Sequence, residues 1–161
     1  MKRKALAITL AAVMAMGTCA VTASAADGDK YTIGICQLVQ HDALDAATQG
    51  FKDEVIKELG EDAVTFDEQN AQGDSNTCST IVNSFVSNNV DLILANATPA
   101  LQAAAAGTSD IPILGTSVTE YGVALGLDDF DGTVGGNISG TADLAPLDEQ
   151  AAMLQELFPD A

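Results

Sequence analysis

Between Tyr31 and Leu114 the chain switches repeatedly between short β-rich apolar runs and longer runs with helical spacing, an order that few folds satisfy. Tyr31–Leu38 (YTIGICQL) is the first apolar run. His41–Leu59 then places Leu44, Ala47, Phe51, Val55 and Leu59 on one helical face, with Asp42 positioned to cap its first turn and Gly60 to end it. Ala63–Asp67 reads as a second strand. Ser75–Asn88 reads as a second helix, because Cys78, Ile81, Val82, Phe85 and Val86 follow the i, i+3, i+4, i+7, i+8 template. Val90–Ala95 (VDLILA) is an apolar run broken only at Asp91, as expected of a strand covered on both faces. Thr98 as cap and Pro99 at the first helical position open a third helix that Gly107 closes, and Ile111–Leu114 is a fourth strand. Such alternation predicts an α/β fold built on a doubly wound parallel sheet, and right-handed crossovers place helices on both faces.

Beyond Thr116 the pattern weakens. The glycine-rich stretch 117–145 reads as strand-and-loop material leading out of the domain, and Pro146–Phe158 as a last helix with Leu147, Ala151, Leu154 and Phe158 on one face. The sequence stops at Pro159-Asp160-Ala161, where an α/β unit would return to a strand, so a continuation is expected.

Ahead of the alternating region, Lys2, Arg3 and Lys4 precede an uncharged apolar run, Ala5–Met16, and Ala23-Ser24-Ala25 supplies small residues at a cleavage position. That order predicts a secretory signal peptide over residues 1–25, cleaved after Ala25, and hence an exported protein of the periplasm or cell surface. Lipidation at Cys19 is the competing way of processing it, although Thr18 is larger than the residue usually found before a lipidated cysteine. The mature part keeps three lysines against all 23 acids, a formal charge of −20. A surface of that sign repels phosphate backbones, which argues against nucleic-acid binding. Cys36 and Cys78 remain, and they are expected to be buried free thiols, with a disulfide permitted by an oxidising compartment.

Ligands of parallel α/β sheets bind beyond the carboxyl ends of the strands. Here those ends are 37–42, 70–74, 96–99 and 117–121. Several lead into helix N-termini, whose N–H groups and positive dipole end suit a carboxylate or phosphate. Thr98, Ser117 and Thr119 add hydroxyls to the same edge; capping and turn bonds are the competing structural roles for them. Enzyme signatures do not emerge. GxxxxGK[ST] does not occur, and the glycines from Gly126 to Gly140 do not follow a strand and open a helix. His41 is the sole histidine, no CxxC is present, and Asp128, Asp129 and Asp131 read as a solvated acidic turn. No catalytic residue, metal site or cofactor is expected.

Five segments carry a resemblance: IGICQLVQHDALDAATQGFKDEV (33–55), NAQGD (70–74), DLILANATPALQAAA (91–105), IPILGTSVT (111–119) and GGNISGTAD (135–143). In this order and spacing the chain resembles the substrate-binding proteins of ABC transporters, in the family that includes tryptophan- and tyrosine-type binding proteins. The resemblance implies a periplasmic-binding-protein-like fold of type I, two α/β lobes around a cleft, with the second lobe mostly missing here. It implies an N-terminal lobe over 26–136, then a hinge crossing and the first helix of a second lobe over 137–161. It implies a receptor for an ABC importer, with a small-molecule ligand, an amino acid being suspected, and a membrane permease as partner. Ligand contacts are expected from Gln37, His41, Asn96, Thr98, Ser117, Thr119 and Glu120, with Thr98 and the following N–H groups taking a carboxylate and Glu120 an amine. One departure stands out: Glu120-Tyr121 follows SVT where the family usually has Asp-Pro. A truncated, non-functional fragment of such a receptor and a small exported flavodoxin-like enzyme are the two alternatives.

Overall fold

The computed structural model describes residues 30–159; the expected signal peptide and Cys19 lie outside the described residues. Five strands, β1 (Tyr31–Gln37), β2 (Val64–Asn70), β3 (Leu92–Asn96), β4 (Ile113–Val118) and β5 (Ile138–Ala142), form one sheet in the order β2-β1-β3-β4-β5. All four pairings are parallel. Five helices accompany them: α1 (Asp42–Leu59), α2 (Ser75–Ser87), α3 (Thr98–Gly107), α4 (Tyr121–Leu125) and α5 (Leu147–Leu157). A single 3₁₀ turn, Glu61–Ala63, leads into β2.

Alternation along the strands sorts the core into two layers. Ile33, Ile35 and Leu94 point to the α1 face, where Phe51 and Val55 of α1 pack on them. The intervening positions point the other way, to α2 and α3, into a larger layer containing Cys36, Ile93, Ala95, Ile113, Cys78, Val82, Phe85 and Leu101. The sheet is thus doubly wound, as the alternation predicts.

Glycines set two close approaches. A Cβ on Gly34 would lie 2.7 Å from two ring atoms of Phe85, so α2 rests its aromatic ring directly on the β1 backbone. Gly115 and Gly140, paired across β4 and β5, leave room for the Tyr121 hydroxyl, which donates to the Thr141 carbonyl at 3.3 Å.

Three local expectations need correction. His41, not Asp42, caps α1: its Nδ1 accepts from the Ala43 N–H at 3.2 Å. Ala97, not Thr98, is the N-cap of α3, with Thr98 the first helical residue. Residues 117–145 hold the expected strand material as β5, but they also contain the helix α4, and β5 pairs with β4 in the same sheet rather than leading out of the domain. β5 follows Gly136 and Asn137 directly. The last helix is present where expected, and none of its residues is buried.

Candidate functional site

The order β2-β1-β3-β4-β5 reverses direction between β1 and β3. From β1 the chain steps outward to β2, then crosses back to β3 and continues the other way. The two loops leaving β1 and β3 diverge there, opening the crevice in which open α/β sheets bind ligands. Gln37 ends β1 and Asn96 ends β3, opposite each other in register.

Both of these side chains are buried, and both are occupied by the protein itself. Gln37 Nε2 donates to Asp45 Oδ1 at 2.6 Å and to the Val39 carbonyl at 3.0 Å. Its Oε1 accepts from Thr48 Oγ1 at 2.7 Å. Asn96 Nδ2 donates to Thr48 Oγ1 at 2.9 Å and to the Leu44 carbonyl at 2.8 Å, with a longer approach of 3.4 Å to Gln37 Oε1. Thr48 is the one fully buried residue of α1. Gln37, Thr48 and Asn96 thus fasten the first turns of α1 to the ends of two strands. Buried polar groups need such partners, because each one left unpaired costs about 1–3 kcal/mol. Asn96 Oδ1 is the one buried side-chain acceptor among the described residues without a donor.

Backbone bonds lace the same edge together. Leu38 N–H donates to the Asn96 carbonyl, Gly73 N–H to the Leu38 carbonyl, and Ala97 N–H to the Thr116 carbonyl. The loops after β1, β2, β3 and β4 are therefore held in one rim. Three non-glycine residues on that rim have backbone conformations that side chains disfavour: Gln72 at φ 54°, Ala97 at φ 92° and Ser117 at φ 55°. Strain of this kind is retained where a fixed loop shape is useful.

The remaining candidates sit above this framework. His41 and Thr119 are exposed, and Thr98 and Ser117 are half-buried. No side chain caps α3, and Pro99 in its first turn has no N–H. The N–H groups at the start of α3, those of Thr98 and Ala100, thus face the crevice side with the positive end of the helix dipole. At α1 and α2 the equivalent groups are partly satisfied by His41 and Asp74. Glu120 is placed differently from its expected role. Its carboxylate caps α4, accepting from Gly122 N–H at 2.7 Å and Val123 N–H at 2.5 Å.

Sequence reasoning missed Thr48, Asp45 and Leu44 as partners of the strand ends. A threonine on the apolar face of a helix was the available signal, since a buried hydroxyl calls for a partner. A hollow of about 460 Å³ lies off this crevice, beside β5, lined by Phe130, Val134, Ile138 and Leu144 and reaching Thr119 and Glu120.

The family model described as ABC transporter substrate binding protein matches residues 32–161. The chain belongs to this family. It is 43% identical over 135 residues to a tyrosine-binding protein of Clostridioides difficile, an alignment covering 80% of this chain and 38% of that one. Among solved structures, a ligand-free, open substrate binding protein with adhesive properties from Clostridium difficile superposes with a TM-score of 0.71 at 42% identity, covering 81% of this chain and 45% of that one. An ABC domain from Streptococcus pneumonia in complex with L-Trp superposes with a TM-score of 0.74 at 31% identity, covering 82% of this chain and 45% of that one. The chain thus spans less than half the length of these relatives, and the fold that it shares with them is that of one α/β lobe.

Proposed function

We propose that this chain supplies the N-terminal, ligand-facing part of an extracytoplasmic receptor that serves an ABC importer, and that the ligand is an amino acid. The observation that carries the proposal is the uncapped N-terminus of α3 at the point where the strand order reverses. An α-carboxylate there takes the N–H groups of Thr98 and Ala100 and the Thr98 hydroxyl. His41, Ser117 and Thr119 line the adjoining rim. Gln37 and Asn96 act from beneath, by fixing the rim. Glu120 supplies negative charge near the ligand's ammonium while its oxygens cap α4. The tyrosine- and L-Trp-related names of two relatives favour an aromatic amino acid.

The division into lobes extends this reading. The N-terminal lobe runs through β5, and α5 leaves it as the first helix of a second lobe. Closure of the two lobes around the ligand then presents the complex to a membrane permease. A thermal-shift screen of the chain against the proteinogenic amino acids tests the ligand class. Tyrosine or tryptophan is expected to raise the melting temperature, and Thr98→Pro to abolish the shift by removing an N–H. If no amino acid shifts the melting temperature, the amino-acid assignment fails.

A further inference from the structure

Cys36 and Cys78 are both fully buried, on different elements of the same core layer. Their placement follows from the geometry of α2 against β1. Gly34 faces the ring of Phe85. Cys36 lies two residues further along β1 and so points to the same face, about 7 Å on. Cys78 lies seven residues before Phe85, two helical turns or about 10 Å back along the same stripe of α2. Because α2 runs antiparallel to β1, both steps go in the same direction, and Cys78 arrives over Cys36. Both are free thiols here, buried in the same core layer.

We propose that Cys36 and Cys78 form an intramolecular disulfide when the chain folds under oxidising conditions, pinning the first turn of α2 to the end of β1. The oxidant is a disulfide of the surroundings, either a small-molecule disulfide or that of a thiol oxidase. One cysteine thiolate attacks it, forming a mixed disulfide and releasing one reduced thiol. The second cysteine thiolate attacks the mixed disulfide, closing the Cys36–Cys78 bond and releasing the other thiol. Two electrons pass to the oxidant, and the two protons of the cysteines end on the released thiols. The proposal rests on the extracytoplasmic reading for its setting, since such compartments sustain disulfides.

Burial fixes the timing. Both thiols are pushed up from their ordinary values, chiefly by desolvation, so little thiolate exists in the folded state. Neither sulfur is exposed. Exchange therefore takes place before the core closes, and the finished bond is sheltered from reductant afterwards. The bond spans a loop of about 40 residues that includes all of α1 and β2, a length for which a cross-link constrains the unfolded chain substantially.

The test is refolding of the reduced, unfolded chain in a buffer of reduced and oxidised glutathione, with no cell compartment involved, so its result is independent of export and of ligand binding. After quenching, a maleimide mass tag is applied in denaturant and the protein is mapped by peptide mass spectrometry. The expected result is a monomer in which Cys36 and Cys78 take no tag until reductant is added, and a linked peptide pair containing both. The oxidised form should also unfold at higher urea concentration than the reduced form, a difference absent from the Cys36→Ser variant. Tagging of both cysteines without reductant, stable glutathione adducts on them, or bonds to Cys19 or to a second molecule would overturn the proposal. Because the wild-type chain alone gives the linkage result, a variant that fails to fold does not blunt the test.

Discussion

Gly34→Ala is the sharpest probe of how the larger core layer is assembled. The added methyl would lie 2.7 Å from Cγ and Cδ2 of Phe85 and 3.0 Å from Cδ1. Carbon atoms in contact prefer about 3.5–4.0 Å, so the ring or the strand must yield by about 0.8 Å. Phe85 is fully buried, with Ile81 and Val82 on its own helix and Ile93 in the same layer, so the ring has little room to withdraw. Overpacking of this kind costs about 1–3 kcal/mol. Reduced freedom of the unfolded chain returns about 0.4–1 kcal/mol, which leaves a net loss of about 1–2 kcal/mol. With a urea slope of about 1–3 kcal/mol per molar, the midpoint of unfolding should fall by roughly half a molar to one molar. A double-mutant cycle with Phe85→Leu isolates the contact. In the Gly34→Ala background, the smaller leucine should cost at least about 0.5 kcal/mol less than it does alone. A Gly34→Ala midpoint unchanged from wild type, or strict additivity in the cycle, would refute the packing argument.

Further outcomes follow from the rim and from β5. Thr48→Val leaves Gln37 Oε1 and Asn96 Nδ2 each short of a partner, and should cost about 1–3 kcal/mol in chemical denaturation, far more than its near-isosteric shape change would. Ala97→Gly relieves a side chain held at φ 92° and should raise stability by about 1 kcal/mol in the same assay. Burial, then the charge of Asp143, raises the Tyr121 pKa above its ordinary value. A raised folded value favours the neutral phenol, so this contribution is intact below about pH 10 and is lost as pH climbs through the folded pKa. Stability measured against pH should therefore decline on the alkaline side, and Tyr121→Phe should flatten that decline.

Much of this fold is legible in the sequence because periodicity survives wherever an element is covered. Cys78, Ile81, Val82 and Phe85 of α2 are buried as their spacing demands, and β1 and β3 are apolar on both faces because helices lie on both sides. The errors concentrate where pairing rather than pattern decides. β2 continues to Asn70 through the polar run Asp67–Asn70, because each of its seven residues has a partner on β1. β5 (ISGTA) has little strand character of its own, yet β4 provides its register, and Asn137, donating to the carbonyls of Thr108 and Ile111, fixes its approach. α4 is short, and its cap is a glutamate, a residue type outside the usual N-cap set. The candidate site divides in the same way. Loop position brings His41, Thr98, Ser117 and Thr119 to one edge. The burial of Gln37 and Asn96 depends on Thr48, a partner on another element that spacing along the chain does not reveal.

The central claim is that the reversal point between β1 and β3, with the open start of α3, receives the carboxylate of an amino acid. Amide NMR of the labelled chain during titration with L-tyrosine or L-tryptophan tests it most directly, because shifts are read residue by residue even when binding to one lobe is weak. The account predicts saturable shifts centred on the Thr98 and Ala100 amides, with smaller ones around His41 and Thr119, and their loss in Thr98→Pro. Saturable shifts confined to the hollow beside β5 or to α5, or no saturable shift at the start of α3, would contradict it.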